Sequence, residues 1–192
     1  LRSDITLFLA RQMGMTVQPD DLPVRVYYGD TILRHEDPDD LSKNEFFQVG
    51  AELIGATGPE ADAEIILLLL ETADTLGARN TVLHLGSRQL MQSTTNSQSF
   101  FEAIESRQFL IAREILMREG SSEERAESLL KLYRFIGPAE DLRKLADNSG
   151  DLNENETAAI RHTLAVADLV ASLGYAERIR VDLSEVGDRN YY

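Results

Sequence analysis

The chain contains no cysteine, which excludes disulfides and thiolate-bound metal and fits a cytoplasmic protein. Histidine is scarce as well. His35, His84 and His162 are the three present, and they are scattered without the spacing of a metal site. Basic residues are outnumbered, 19 against 33 acidic, for a formal net charge of -14. A phosphate backbone is repelled by most of such a surface, so the balance speaks against a nucleic-acid partner. The densest basic groupings, Arg178 with Arg180 and Arg143 with Lys144, are short. Long apolar runs are missing too. The longest, Ile65 to Leu70, falls far below the roughly 20 residues a membrane span requires, and no basic-apolar leader is read at the start. A soluble protein that does not enter a membrane is expected.

What is present suffices for a core: 192 residues of which 43% are hydrophobic can bury one globular domain. Phe46, Phe47, Val49, Ala51, Leu53 and Ile54 form an aromatic and aliphatic run ended by Gly55 and Gly58-Pro59, which reads as a strand. A period of two places Gln48, Gly50, Glu52 and Ile54 on one face. An amide and a carboxylate therefore stand on the same side, with a glycine between them. A water-facing edge strand explains the pair, and so does the floor of a polar pocket. The glycine favours the pocket, because a strand glycine marks close approach of a ligand or another backbone. Val24 to Leu33 reads as a second strand, and the acidic connection from Arg34 to Lys43 makes a wide antiparallel hairpin.

The N-terminal segment Thr6-Leu7-Phe8-Leu9-Ala10 begins a helix with Asp4 or Thr6 near its start, where either can act as a cap. Pro59 opens another helix, from about Glu60 to Leu76, with Gly77 at its end. Its centre, Ile65 to Leu70, is apolar nearly all round, which predicts burial on most sides. Asn80 to Leu85 follows as a strand, giving a strand-strand-helix-strand order typical of mixed α+β folds. Residues 99–150 read as a helical insert, with Ser121 and Glu124 spaced as a capping box and Gly137-Pro138 as a break. Its aromatic residues are expected in the core. Asn153 with Glu156 caps a further helix that stops at Gly174, and Arg178 to Leu183 alternates as a half-buried strand.

Three ordered segments carry a resemblance to a known family. Leu33-Arg34-His35-Glu36, a long loop and the returning strand Phe46-Phe47-Gln48-Val49-Gly50-Ala51-Glu52-Leu53-Ile54-Gly55 resemble a class II aminoacyl-tRNA synthetase motif. More narrowly, they are similar to that motif in histidyl-tRNA synthetases and in their paralogue, the regulatory subunit of ATP phosphoribosyltransferase. Leu1-Arg2-Ser3-Asp4-Ile5-Thr6 with Arg11 resembles an early segment of that family. Asp182-Leu183-Ser184-Glu185 followed by Tyr191-Tyr192 resembles its late strand and double tyrosine. The implied fold is α+β: a class II synthetase-like antiparallel sheet flanked by helices, with residues 1–192 as a single partial core carrying the insert. The family's first and third motifs are not seen, so the chain is expected to be an excerpt of a longer protein.

The resemblance also implies a site. Asp4 and Thr6 would face the amino group of bound histidine, and a carboxylate suits an ammonium. Gln48 would accept from the same ammonium, Glu52 from an imidazole N-H, and Tyr191 and Tyr192 would supply a ring wall and a hydroxyl. Arg34 and Glu36 match the nucleotide side. Where synthetases of this family carry two arginines that neutralise phosphate charge, the chain has Asn44 and Gly187, and neither supplies a bidentate cation; compensation by Arg189, two residues further on, is the open alternative to a lost phosphate clamp. The implied function is a non-catalytic regulatory subunit that binds histidine, with no catalytic residue, metal or cofactor of its own. It would assemble with the short-form catalytic subunit of ATP phosphoribosyltransferase, self-associate through the class II dimer interface and exert feedback control on histidine biosynthesis. The alternative is an active histidyl-tRNA synthetase.

Overall fold

The computed structural model describes residues 4–33 and 45–185, which divide into two compact units, Leu1–Ala61 and Asp62–Tyr192. In the first, helix α1 (Ile5–Thr16) is followed by a 3-10 turn (Pro19–Asp21) and the strands β1 (Val24–Leu33) and β2 (Glu45–Ile54). Asp4 ends the extended backbone before α1 and its side chain accepts from the Leu7 N–H at 3.2 Å, satisfying one of the amides that a helix start leaves over. The strands pair antiparallel in one unbroken register, with Val24 opposite Ile54, Tyr28 opposite Gly50 and Asp30 opposite Gln48. Partners across such a ladder share a face, so Val26, Tyr28, Asp30 and Ile32 lie with Gln48, Gly50 and Glu52. Ile5 and Ile32 are buried, whereas Tyr27, Phe47 and Val49, on the opposite face of the hairpin, are exposed.

The second unit is built on helices. Helix α2 (Pro59–Thr75) leads to the short strand β3 (Leu83–Leu85). Five helices follow: α3 (Arg88–Thr94), α4 (Gln98–Glu105), α5 (Phe109–Arg118), α6 (Glu123–Tyr133) and, after strand β4 (Ile136–Gly137), α7 (Ala139–Asp147). The long helix α8 (Glu154–Val170) then leads to strand β5 (Ile179–Asp182). The sheet order is β3-β5-β4, with β5 parallel to β3 and antiparallel to β4. Being central, β5 buries Ile179, Val181 and Asp182, so it is more deeply covered than its alternation of charged and apolar residues predicts.

One cluster joins α3 through α8 and contains Leu90, Phe100, Ile104, Leu116, Leu130, Tyr133, Leu142, Ile160 and Val181. Phe100 meets the edge of Tyr133 at 5.6 Å between ring centres, and the Tyr133 hydroxyl lies 2.7 Å from Thr94 Oγ1. A buried phenol needs such a partner. These aromatics are core, as the pattern implies. A second cluster sets Ala63, Ile66 and Leu70 of α2 against Val166 and Val170 of α8 and Ile179 of β5.

Other expectations change as well, and the strand expected from Asn80 is confined to Leu83–Leu85. Helix α2 is buried along one face, whereas Leu68 and Leu69 on the other are 46% and 55% exposed; an apolar run of six residues circles the helix, but only one stripe meets a neighbour. The cap of α6 is Ser122, which accepts from the Arg125 N–H at 3.1 Å, one residue beyond the predicted Ser121. The cap of α8 is as read: Asn153 and Glu156 form a reciprocal capping box. After α8 a π-helical turn (Ala171–Tyr175) ends the helical path at Gly174, where φ is +94°, a conformation that glycine adopts without a Cβ penalty.

Candidate functional site

Four of the sequence-derived site residues, Asp4, Thr6, Gln48 and Glu52, lie within the first unit. Thr6 sits in the first turn of α1 and donates from Oγ1 to Glu52 Oε1 at 2.7 Å. The backbone explains why they meet: Asp4 starts the helix beside β2, and period-two alternation turns Glu52 toward it. A carboxylate beside a helix N-terminus is favoured by the dipole and by an O–H donor. Asp4 itself spends one carboxylate oxygen on the cap of α1.

Gln48, two positions along the same face from Gly50, donates from Nε2 to the Tyr28 hydroxyl at 3.4 Å. Its Oε1 is buried and has no hydrogen-bond partner. An unsatisfied buried carbonyl costs about 1–3 kcal/mol, and native proteins rarely leave one without a reason. Gly50 accounts for the close packing here. A Cβ at that position would fall on the Tyr28 hydroxyl and the adjoining ring carbons, so the ring lies across β2 between the amide and the carboxylate. The arrangement offers an acceptor that lacks a donor, a carboxylate anchored by a threonine, and an aromatic ring between them. Such a set suits a small ligand that carries N–H donors at two points.

Tyr28 is the member that sequence reading missed. Its position in β1 marks it only as one tyrosine of the Tyr27-Tyr28 pair, and the register that sets it opposite Gly50 could have identified it. The remaining expected residues, Arg34, Glu36, Tyr191 and Tyr192, lie outside the described residues, as do His35, Asn44, Gly187 and Arg189.

A second polar cluster lies in the other unit. Among the described residues, His84, Asp182 and Glu185 bring potential metal-ligating atoms within 4.8 Å of one another, a grouping invisible to spacing because His84 and Asp182 are 98 positions apart. Arg107 donates to Asp182 Oδ2 at 2.7 Å, the same oxygen that faces His84 Nδ1 at 3.4 Å. Ser184 binds Oδ1 through both its backbone N–H, at 3.1 Å, and its hydroxyl, at 2.7 Å. Burial pushes the Asp182 carboxyl up, but the bonds from Ser184 and Arg107 outweigh it and hold the group below the usual carboxylate range. With a guanidinium already on the shared oxygen, the cluster is an ion-pair network that fastens the α4–α5 connection to the end of β5. His162 is likewise engaged, its Nε2 lying 2.7 Å from Asp62 Oδ2.

The helix-flanked hairpin, the helical segment and the mixed strands define a class II aminoacyl-tRNA synthetase-like fold. Two solved structures share it over 100% of the chain. One is described as an ATP phosphoribosyltransferase regulatory subunit/histidyl-tRNA synthetase from Bacillus halodurans, with a TM-score of 0.82, 22% identity and 52% of that chain covered. The other is histidyl-tRNA synthetase from Nostoc sp. PCC 7120, with a TM-score of 0.75, 19% identity and 47% covered.

The chain belongs to the histidyl-tRNA synthetase family, whose profile matches residues 1–192. Its curated relatives carry two names. The ATP phosphoribosyltransferase regulatory subunits of Geobacter sulfurreducens and Symbiobacterium thermophilum are 30% and 33% identical over 99% and 100% of the chain. The histidine–tRNA ligase of Pyrococcus horikoshii is 30% identical over 100%. The chain spans 45%, 49% and 46% of these three relatives respectively, about half their length. No helix among the described residues is long and apolar enough to cross a membrane.

Proposed function

We propose that this chain is part of a non-catalytic regulatory subunit of ATP phosphoribosyltransferase, and that the face of β2 carrying Gln48, Gly50 and Glu52 receives free histidine. The observation that carries the reading is the buried, unpartnered Gln48 Oε1 on the same strand face as a threonine-anchored Glu52. The ammonium group supplies the missing donor to Gln48, and an imidazole N–H is accepted by Glu52. Asp4 and Thr6 border the ammonium; Tyr191 and Tyr192 are assigned to the same ligand by the family resemblance alone. Arg34 and Glu36 are remnants of a nucleotide side.

What separates a regulator from a ligase is the phosphate machinery. Asn44 and Gly187 stand where the family resemblance puts arginines, and neither can clamp a phosphate in a transition state. Feedback control then requires that histidine bind two states of the assembly with different affinity. The partner is the short-form catalytic subunit, in a cytoplasmic hetero-oligomer that self-associates through the class II dimer interface and governs the first step of histidine biosynthesis. The competing reading, an active histidyl-tRNA synthetase, is favoured by the ligase relative of equal identity.

Calorimetry with L-histidine tests the pocket. Binding by the wild type that is weakened by Glu52→Ala is expected; unchanged affinity in the variant removes Glu52 from the site.

A further inference from the structure

We infer that Tyr28 is a positioning residue for the ligand's ammonium group, acting through the orientation of the Gln48 amide. This role rests on the histidine-binding reading of the same strand face. A glutamine amide has one donor end and one acceptor end, and a pocket for a cation works only if the acceptor faces the ligand. The hydrogen bond from Gln48 Nε2 to the Tyr28 hydroxyl engages the donor end. The carbonyl end is thereby turned away from Tyr28 and left as the unpartnered acceptor.

The fold holds the tyrosine where it can do this. Tyr28 pairs directly with Gly50 across the ladder, and the missing Cβ leaves the space into which the hydroxyl and the ring edge project. A phenol on β1 thus reaches across to the side chain two residues before its own partner. Having accepted from Gln48, the hydroxyl keeps its own proton to donate, and its ring separates the amide from Glu52. The two polar ends of the site are kept apart, one for a cationic amine and one for an N–H of the side chain.

The test is a set of titrations on the full chain with three probes: L-histidine, histidinol, which keeps the amine without the carboxylate, and imidazole, which has neither. Tyr28→Phe removes one oxygen and keeps the ring. It is expected to weaken histidine and histidinol about tenfold, equivalent to about 1.4 kcal/mol, and to leave imidazole binding, followed by NMR, unchanged. In a Gln48→Ala background the same substitution is expected to have no further effect, because both act at one point. As a readout independent of ligand, the side-chain amide resonances of Gln48 in the unliganded protein are expected to shift in Tyr28→Phe. Unshifted resonances, equal histidine affinity in wild type and variant, or equal losses for all three probes overturn the role of Tyr28. Histidine bound by the wild type and unaffected by Tyr28→Phe overturns this inference alone. No histidine binding by the wild type overturns it together with the reading on which it rests.

Discussion

The Thr6 hydroxyl donates to Glu52 Oε1 at 2.7 Å, joining the first turn of α1 to the polar face of β2 across 46 positions of sequence. This bond fixes one carboxylate oxygen, and the proposed function gives the other to the ligand. Removing it frees Glu52 to rotate. Thr6→Val, which keeps the branched shape, is expected to weaken histidine binding about fivefold to tenfold, within the net worth of one ordinary hydrogen bond, with a smaller effect on the unfolding midpoint. Calorimetry beside a urea titration separates the two effects.

Gly50 makes a sharper prediction. Alanine there places a methyl group against the Tyr28 hydroxyl, and overpacking of this kind costs about 1–3 kcal/mol. The loss of stability read in urea should be accompanied by loss of histidine binding, because the ring that must move borders both Gln48 and Glu52. Combining Gly50→Ala with Tyr28→Ala should recover most of the stability without recovering binding.

Stability of the second unit rests in part on a buried ion pair. Arg125 Nη2 donates to Glu156 Oε1 at 2.8 Å, and Glu156 is fully buried. Its other oxygen accepts from the Asn153 N–H at 2.7 Å in the capping box. Arg125→Ala strands a buried carboxylate and is expected to cost about 3 kcal/mol. A double replacement, Arg125→Ala with Glu156→Gln, should recover part of that loss. Chemical denaturation followed by far-UV circular dichroism reads both.

The pH dependence follows from Asp182. Its carboxyl is held below its ordinary value, so between the folded and unfolded values the unfolded chain binds more protons, and stability rises with pH. The contribution is complete above the unfolded value of about 3.9 and is lost as pH falls from there through the lowered folded value. Asp182→Asn abolishes this dependence. Urea midpoints measured from pH 2 to 6 should show a shallower acid limb in the variant than in the wild type.

Much of this was legible in the residues. The strand pair β1 and β2 follows from alternation and the turn formers around it, and the face shared by Gln48, Gly50 and Glu52 follows from period two alone. The start of α1 at Asp4 and the capping box of α8 are local chemistry written within four residues. What sequence could not supply was whatever depends on register or distance. Tyr28 enters the site only because the ladder sets it opposite Gly50. The network of Arg107, Asp182 and His84 requires three segments to meet, and the half-exposed α2 reflects which stripe found a neighbour rather than which residues are apolar. The family resemblance came from ordered motifs. The relatives that confirm it bear two functional names, and the choice between them depends on charge at the phosphate positions.

The most direct test of the central claim is histidine-dependent exchange of labelled pyrophosphate into ATP by the full-length protein, measured at saturating histidine. A receptor for the amino acid that has lost its adenylating cations gives no exchange above the histidine-free rate. Robust exchange that requires histidine would contradict the account and make the protein a working synthetase.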